Sequence, residues 1–389
     1  MVRILFAALA LFFTGGVASA AAVPVEGDYV VRDFTFASGE KLPELRLHYT
    51  TLGTPRRDAA GHVTNAVMVL HGTGGSGKQF FAPQFANALF GPGQPLDTSV
   101  YYVILPDEIG HGASSKPSDG LHARFPHYAY ADMVAADHLL LTKGLGVDRL
   151  RLLMGTSMGC MHTLTYAEAY PGFARALMPL ACVPVPISGA NRQWRKLAID
   201  GIKLDPAWAG GDYKVEPAAG LRTAMSLLVA FGSAPLAMQH DLPTGDAVDA
   251  AVTARMARDM PLRDANDLIY QLDSSRDYDP GPKLATIDVP LTWINSGDDL
   301  INPPELHLVE AAIGRVQQGR FVLIPASLAT RGHGSHTSAV LWKDELVALL
   351  ARSGDQKKLS SPRTRGPNVP IATLGPRFRG DDIQTIVPH

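Results

Sequence analysis

Leu150-Arg151-Leu152-Leu153-Met154-Gly155-Thr156-Ser157-Met158-Gly159-Cys160-Met161-His162 decides the architecture. A short apolar run suited to a buried parallel strand stops at Gly155, and a helical pattern starts after Gly159 with no polar linker between them. The chain must turn from strand to helix within a few residues. Glycines flanking Ser157 remove side chains that would clash in such a turn, and they leave the serine in a strained conformation exposed at the sheet edge. Its hydroxyl would sit before the positive end of the following helix, with the Met158 backbone N–H facing any oxyanion that forms beside it. Taken alone, the five residues from Gly155 to Gly159 also suit an ordinary strand-to-helix turn, so a nucleophile needs partners elsewhere in the chain.

Outward from this point, strands and helices alternate. Ala66 to Leu70, Val100 to Leu105 and Ala176 to Cys182 are continuous apolar runs of the kind buried on both faces of a sheet. Ala131 to Lys143 carries Met133, Ala136, Leu140 and Leu141 at helical spacing and stops at Gly144. The pattern predicts an α/β fold with a mainly parallel sheet covered on both faces and its site at the carboxyl ends of the strands. Two earlier runs, Tyr29 to Phe36 and Leu45 to Thr50, separated by Ser38-Gly39, read as an antiparallel opening pair. The rhythm breaks over residues 186–284, where amphipathic runs such as Arg192 to Ile202 and Leu221 to Phe231 alternate with turns and no strand is convincing. Such an insertion between strands of one sheet predicts a helical cap on a core made of residues 23–185 and 285–352.

The loop His71-Gly72-Thr73-Gly74-Gly75-Ser76 after the first buried strand has two readings. Gly72 to Lys78 satisfies Gly-x4-Gly-Lys, but Gln79 stands where a phosphate-binding loop needs the hydroxyl that ligands Mg²⁺. The preferred reading is an oxyanion loop, with the backbone N–H near Thr73 facing the nucleophile. His111, between Gly110 and Gly112, reads as a turn residue.

A serine hydroxyl needs a base to take its proton, and the base needs a third group to fix its tautomer. After the strand Val289 to Ile294 comes Asn295-Ser296-Gly297-Asp298-Asp299, and after Phe321 to Pro325 comes Arg331-Gly332-His333-Gly334-Ser335-His336. The predicted triad is therefore Ser157, Asp298 and His333, with Asp298 preferred to Asp299 and His333 to His336, and with Thr73 and Met158 as oxyanion donors. A metal on the His-x-x-His pair is disfavoured because no third ligand is apparent, and this chemistry calls for no cofactor.

Composition bounds the remaining classes. The 389 residues are 46% hydrophobic and 19% charged, which fits one large globular domain with an insertion. A formal net charge of -2 gives no electrostatic reason to expect nucleic acid. Arg3, the apolar run Ile4 to Phe13 and Ala18-Ser19-Ala20 read as a signal peptide over residues 1–22, which predicts export to the periplasm or medium and no membrane association after cleavage. Cys160 and Cys182 both fall at buried positions, so two free core thiols are favoured over a disulfide. Residues 353–389 are rich in Pro, Gly, Arg, Lys and Asp and read as a disordered tail.

With Ser157, Asp298 and His333 placed, the chain resembles the homoserine O-acetyltransferase branch of the α/β-hydrolase superfamily from about residue 45 to about residue 350. Asp132-Met133-Val134, Gly155 to Met161, Asp205-Pro206-Ala207-Trp208-Ala209-Gly210-Gly211-Asp212-Tyr213, Asp264-Ala265-Asn266 and Pro303-Pro304 look like that family's signatures. The resemblance implies an α/β-hydrolase fold, an acyl-enzyme on Ser157, Asp298 as acid, His333 as base and a hole made by Thr73 and Met158. Three departures bear on substrate. His162 replaces a Gln, Phe231-Gly232-Ser233 replaces Tyr-Arg-Ser, and Gly332-His333-Gly334 replaces Gly-His-Asp. Both charged handles for an amino acid are lost, and an unpaired zwitterion binds poorly. The expectation is an exported serine hydrolase that cleaves a small acyl ester, with an acyltransferase using acetyl-CoA as the alternative and a silent binding module as a third reading. The helical cap offers the surface for a homodimer.

Overall fold

The structure, a computed structural model, describes residues 22–354. The expected signal peptide and tail lie outside these residues, apart from residue 22 and residues 353–354.

Eight strands form one sheet: β1 (Val25–Thr35), β2 (Lys41–Leu52), β3 (Ala66–Leu70), β4 (Tyr102–Pro106), β5 (Leu152–Thr156), β6 (Leu177–Leu180), β7 (Leu291–Ser296) and β8 (Gly319–Ile324), in the order β1-β2-β4-β3-β5-β6-β7-β8. β1 and β2 pair antiparallel, and β2 joins β4 antiparallel. From β4 to β8 the pairing is parallel. The continuous apolar runs follow from covering on both faces: every residue of β3 through β7 is buried. Alternation then divides them between two cores. Met68, Leu70, Ile104, Leu153 and Trp293 face one layer with the helices α2 (Tyr130–Leu139) and α3 (Met158–Ala169). Val67, Val69, Val103, Leu152 and Met154 face the other, with α1 (Pro83–Leu89) and, after the last strand, a helix over Lys343–Arg352.

Between β6 and β7 lie only helices and turns: α4 (Gly189–Lys203), α5 (Ala218–Phe231), α6 (Pro235–Asp241), α7 (Gly245–Asp259) and α8 (Ala265–Asp273). Their chemistry is that of an amphipathic layer, in which Trp194, Ala198, Ile199 and Ile202 of α4 pack with Leu221, Ala224 and Met225 of α5. This insertion reaches the loops at the strand ends, where Gln271 donates to the Gly110 carbonyl (2.7 Å) and Arg263 to the Gly74 carbonyl.

One expectation is overturned. Cys160 and Cys182 form a disulfide with their Cα atoms 5.8 Å apart. Both positions are buried as expected, but burial does not distinguish free thiols from a bridge when the topology puts the two side by side. β6 is the direct neighbour of β5, so the segment leaving β6 runs beside the first turn of α3, which leaves β5. The bridge closes a loop with a sequence separation of 22. On chain-entropy grounds it is worth roughly 3 kcal/mol. The double variant Cys160→Ala/Cys182→Ala should therefore unfold at a clearly lower temperature in calorimetry, and a reductant should lower the wild-type Tm without affecting the variant; an unchanged variant Tm would contradict this.

Candidate active site

β5 ends at Thr156, and α3 begins at Met158. Ser157 alone makes the turn, at φ 56° and ψ -109°, a region that non-glycine residues rarely adopt. The two glycines are needed for contact rather than for their own torsions. A Cβ on Gly155 would lie 2.0 Å from the Gly159 carbonyl oxygen, and one on Gly159 would lie 2.2 Å from the Leu70 carbonyl oxygen. Strand, helix and the neighbouring strand thus touch through backbone, and the Ser157 amide is fixed by the Leu180 carbonyl at 2.8 Å.

The Ser157 hydroxyl lies 2.8 Å from His333 Nε2. His333 Nδ1 lies 2.8 Å from Asp299 Oδ2, which makes Asp299 the carboxylate that holds the imidazole. Asp298, the acid preferred from sequence, is turned elsewhere: its carboxylate accepts from the Ser296 and Thr330 hydroxyls and from the Gly332 amide, tying β7 to the loop that carries His333. The physical reason lies in the turn after β7. Asp299 Oδ1 accepts from the amides of Ile301 (2.8 Å) and Asn302 (3.1 Å), which folds its side chain inward, and adjacent residues of a turn cannot both point there. The pattern Asp299-x-x-Asn302 was the available signal. Asn302 Nδ2 also donates to Asp299 Oδ2 at 3.0 Å. Burial of Asp299, at 1% exposure, pushes its pKa up, but the His333 imidazole and the Asn302 donors outweigh this and hold it below the usual carboxylate value.

His336 is not brought to the serine. Its ring lies 5.1 Å from that of His333, and burial, reinforced by His333, pushes its pKa down to about 3. His71 and His111 are likewise pushed below the ordinary histidine range, first of all by burial. Burial disfavours the charged form of all three imidazoles in the fold, whereas in the unfolded chain they bind protons near pH 6.5. The unfolded state then holds more protons below that pH, so stability is fully present above it and is lost as pH falls. Urea unfolding should show lower stability at pH 5 than at pH 7, by roughly 2 kcal/mol from His336 alone, and equal midpoints at the two pH values would contradict it.

The Gly-rich loop meets the elbow at Gly72, where an added Cβ would lie 3.3 Å from Ser157 Cβ and 3.8 Å from its Oγ. Among the described residues, neither the Thr73 nor the Met158 amide donates to another group, so both expected oxyanion donors are unspent. The phosphate-loop reading fails at Lys78, which pairs with Glu26 at 3.0 Å, and at Gln79, which donates to the Thr156 hydroxyl at 3.1 Å. His111 is a turn residue: its Nδ1 bonds the Ile109 carbonyl at 2.9 Å. His162 is fully buried and bonds Glu108 Oε1 at 3.0 Å through Nδ1; that Glu108 is its partner was not legible in sequence. The segment after α5 borders the base loop, since a Cβ on Gly332 would lie 2.4 Å from the Ser233 carbonyl oxygen. Gly232 and Gly334 carry no side chain, so neither position supplies a charged group.

Known proteins share this fold. A family model described as alpha/beta hydrolase fold matches residues 65–327. A homoserine O-acetyltransferase from Thermobifida fusca is 34% identical over 204 residues, 49% of this chain and 52% of the relative, so the chain spans about half the length of that protein. Among solved structures, homoserine O-acetyltransferase from Bacillus anthracis superposes with a TM-score of 0.74 at 20% identity, covering 87% of this chain and 99% of that one. An acetylester hydrolase from Corynebacterium glutamicum gives 0.73 at 20% identity, with 84% of this chain and 96% of the other covered. These two likenesses concern the fold. With the family match running from β3 past β8, the chain belongs to the alpha/beta hydrolase fold family.

Proposed function

We propose that this protein is an exported serine hydrolase that cleaves a small acyl ester through a covalent acyl-enzyme. The observation that carries the reading is the continuous chain from Ser157 Oγ through His333 to Asp299, with 2.8 Å at each junction. His333 takes the Ser157 proton as Oγ attacks the ester carbonyl, and the Thr73 and Met158 amides receive the oxyanion. Collapse of the tetrahedral adduct expels the alcohol, which takes the proton back from His333. Water then enters, gives a proton to His333 as it attacks the acyl carbonyl, and the collapse of this second adduct returns the proton from His333 to Ser157 Oγ, releasing the acid and free serine. Asp299 remains ionised and holds the imidazole tautomer throughout. The bare backbone at Gly232 and Gly334 favours an uncharged substrate over an amino acid. The signal-like residues 1–22 and the Cys160–Cys182 disulfide both fit an oxidising compartment.

A panel of p-nitrophenyl esters of increasing acyl length tests this, with a fluorophosphonate probe reporting Ser157. Turnover of the short esters together with labelling supports the hydrolase. Labelling failure in folded protein would favour a silent binding module. Acyl transfer is the second reading, because the Thermobifida fusca relative is named a homoserine O-acetyltransferase. Formation of O-acetylhomoserine from acetyl-CoA and homoserine, faster than release of free acetate, would replace hydrolysis with transfer.

A further inference from the structure

Behind the nucleophile lies a sealed group of titratable side chains that the triad does not use. His71, Glu108, Asp137 and His162 come from four separate segments, and each is at most 3% exposed. The Glu108 carboxylate accepts from His162 Nδ1 at 3.0 Å, and burial, reinforced by Glu108, drives the Asp137 carboxyl above its ordinary pKa. The Glu108 backbone amide donates to His71 Nε2 at 3.0 Å. An amide nitrogen can only donate, so Nε2 carries no proton and Nδ1 must carry it. That Nδ1–H points at the Gly72 carbonyl, 2.8 Å away.

This fixes one peptide plane. The Gly72 carbonyl is held by the His71 ring and by the Gly75 amide at 2.9 Å, and the described residues contain no cis peptide bonds. In a trans peptide the carbonyl and the next N–H point in opposite directions. With the Gly72 oxygen turned into the core toward His71, the Thr73 N–H is turned out of it, on the loop whose Gly72 abuts Ser157. The His71 carbonyl also accepts from the Gly159 amide at 2.9 Å, so the same residue ties the loop to the first turn of α3.

We propose that His71 is a positioning residue for the oxyanion hole: locked by the backbone of Glu108, which the His162 and Asp137 side chains hold in the core, it sets the Gly72–Thr73 peptide so that the Thr73 N–H faces the reacting carbonyl. This rests on the acyl-enzyme reading above. A flipped peptide would put the Gly72 carbonyl oxygen where the donor belongs and would repel the oxyanion. A protonated His71 would set an Nε2–H against the Glu108 N–H, and the His162 contact on the Glu108 carboxylate limits the bare charge that would draw such protonation.

Two variants separate positioning from general support of the fold. Asn at 71 keeps a donor near the Nδ1 position, whereas Gln keeps a group near Nε2 and gives up the donor to Gly72. His71→Gln should lower kcat by about 100-fold with KM little changed, in line with the loss of one hole donor. It should also weaken inhibition by a trifluoromethyl ketone, which forms an oxyanionic adduct with the serine, by the same factor as kcat/KM falls. His71→Asn should stay within about 3-fold of wild type in both readouts. Equal activity of the two variants, or a ketone affinity unmoved while kcat/KM falls, would overturn the assignment. A wild-type protein that neither turns over esters nor takes the fluorophosphonate would instead sink the acyl-enzyme reading on which it rests.

Discussion

Ser157→Ala should abolish ester turnover, with a fall on the order of 10⁴-fold or more in kcat. The magnitude follows from the elbow. Ser157 Oγ is the oxygen within 2.8 Å of His333 Nε2, and the alanine leaves His333 with no hydroxyl to activate. Residual rate would come from water entering the vacated space beside the two unspent amides, and such catalysis remains some 10³- to 10⁴-fold above solution when a triad is dismantled. The substitution removes one polar oxygen at a strained turn held by backbone contacts of Gly155 and Gly159, so the fold should persist. Circular dichroism and Tm close to wild type, together with loss of both turnover and probe labelling, is the expected pattern. Near-full activity would mean that the nucleophile lies elsewhere and would discard the mechanism.

The sheet was legible because its residues have few alternatives. Runs such as Ala66–Leu70 and Leu152–Thr156 are apolar at every position, which suits a parallel strand covered on both faces, and all of their residues are buried. The elbow was legible for a related reason, since only Gly at 155 and 159 permits the approach that the turn requires. What stayed hidden depends on which side chains meet across distant segments. The pattern at Cys160 and Cys182 announces burial and not the adjacency of β5 and β6 that joins them. His71 and Glu108 look in sequence like two polar residues after two strands, 37 positions apart, and only the parallel pairing of β3 with β4 brings their ends together. His162 stands out in the sequence as a replacement, while its carboxylate partner lies in another loop. The choice between Asp298 and Asp299 belongs to the same class, for it turns on the torsions of one short loop.

That choice makes the second large expectation. Asp299→Asn should lower kcat by about 10³- to 10⁴-fold, because an amide facing His333 Nδ1 can present a donor where the carboxylate accepts, and the imidazole then carries its proton on the nitrogen that should receive the one from Ser157. The carboxylate also supplies the negative charge that stabilises the imidazolium formed in each half-reaction, and at 1% exposure no solvent counter-charge can replace it. Asp298→Asn should behave differently. Its carboxylate binds the Ser296 and Thr330 hydroxyls and the Gly332 amide, so losing those charge-assisted bonds costs roughly 1–3 kcal/mol of stability and loosens the loop that carries His333. Its kcat should fall by no more than about 10-fold, while its urea midpoint drops. Steady-state kinetics and urea unfolding on both variants give the test. If Asp298→Asn were the inactive one and Asp299→Asn merely unstable, the acid would be Asp298 after all, and the loop after β7 would have to rearrange when substrate binds.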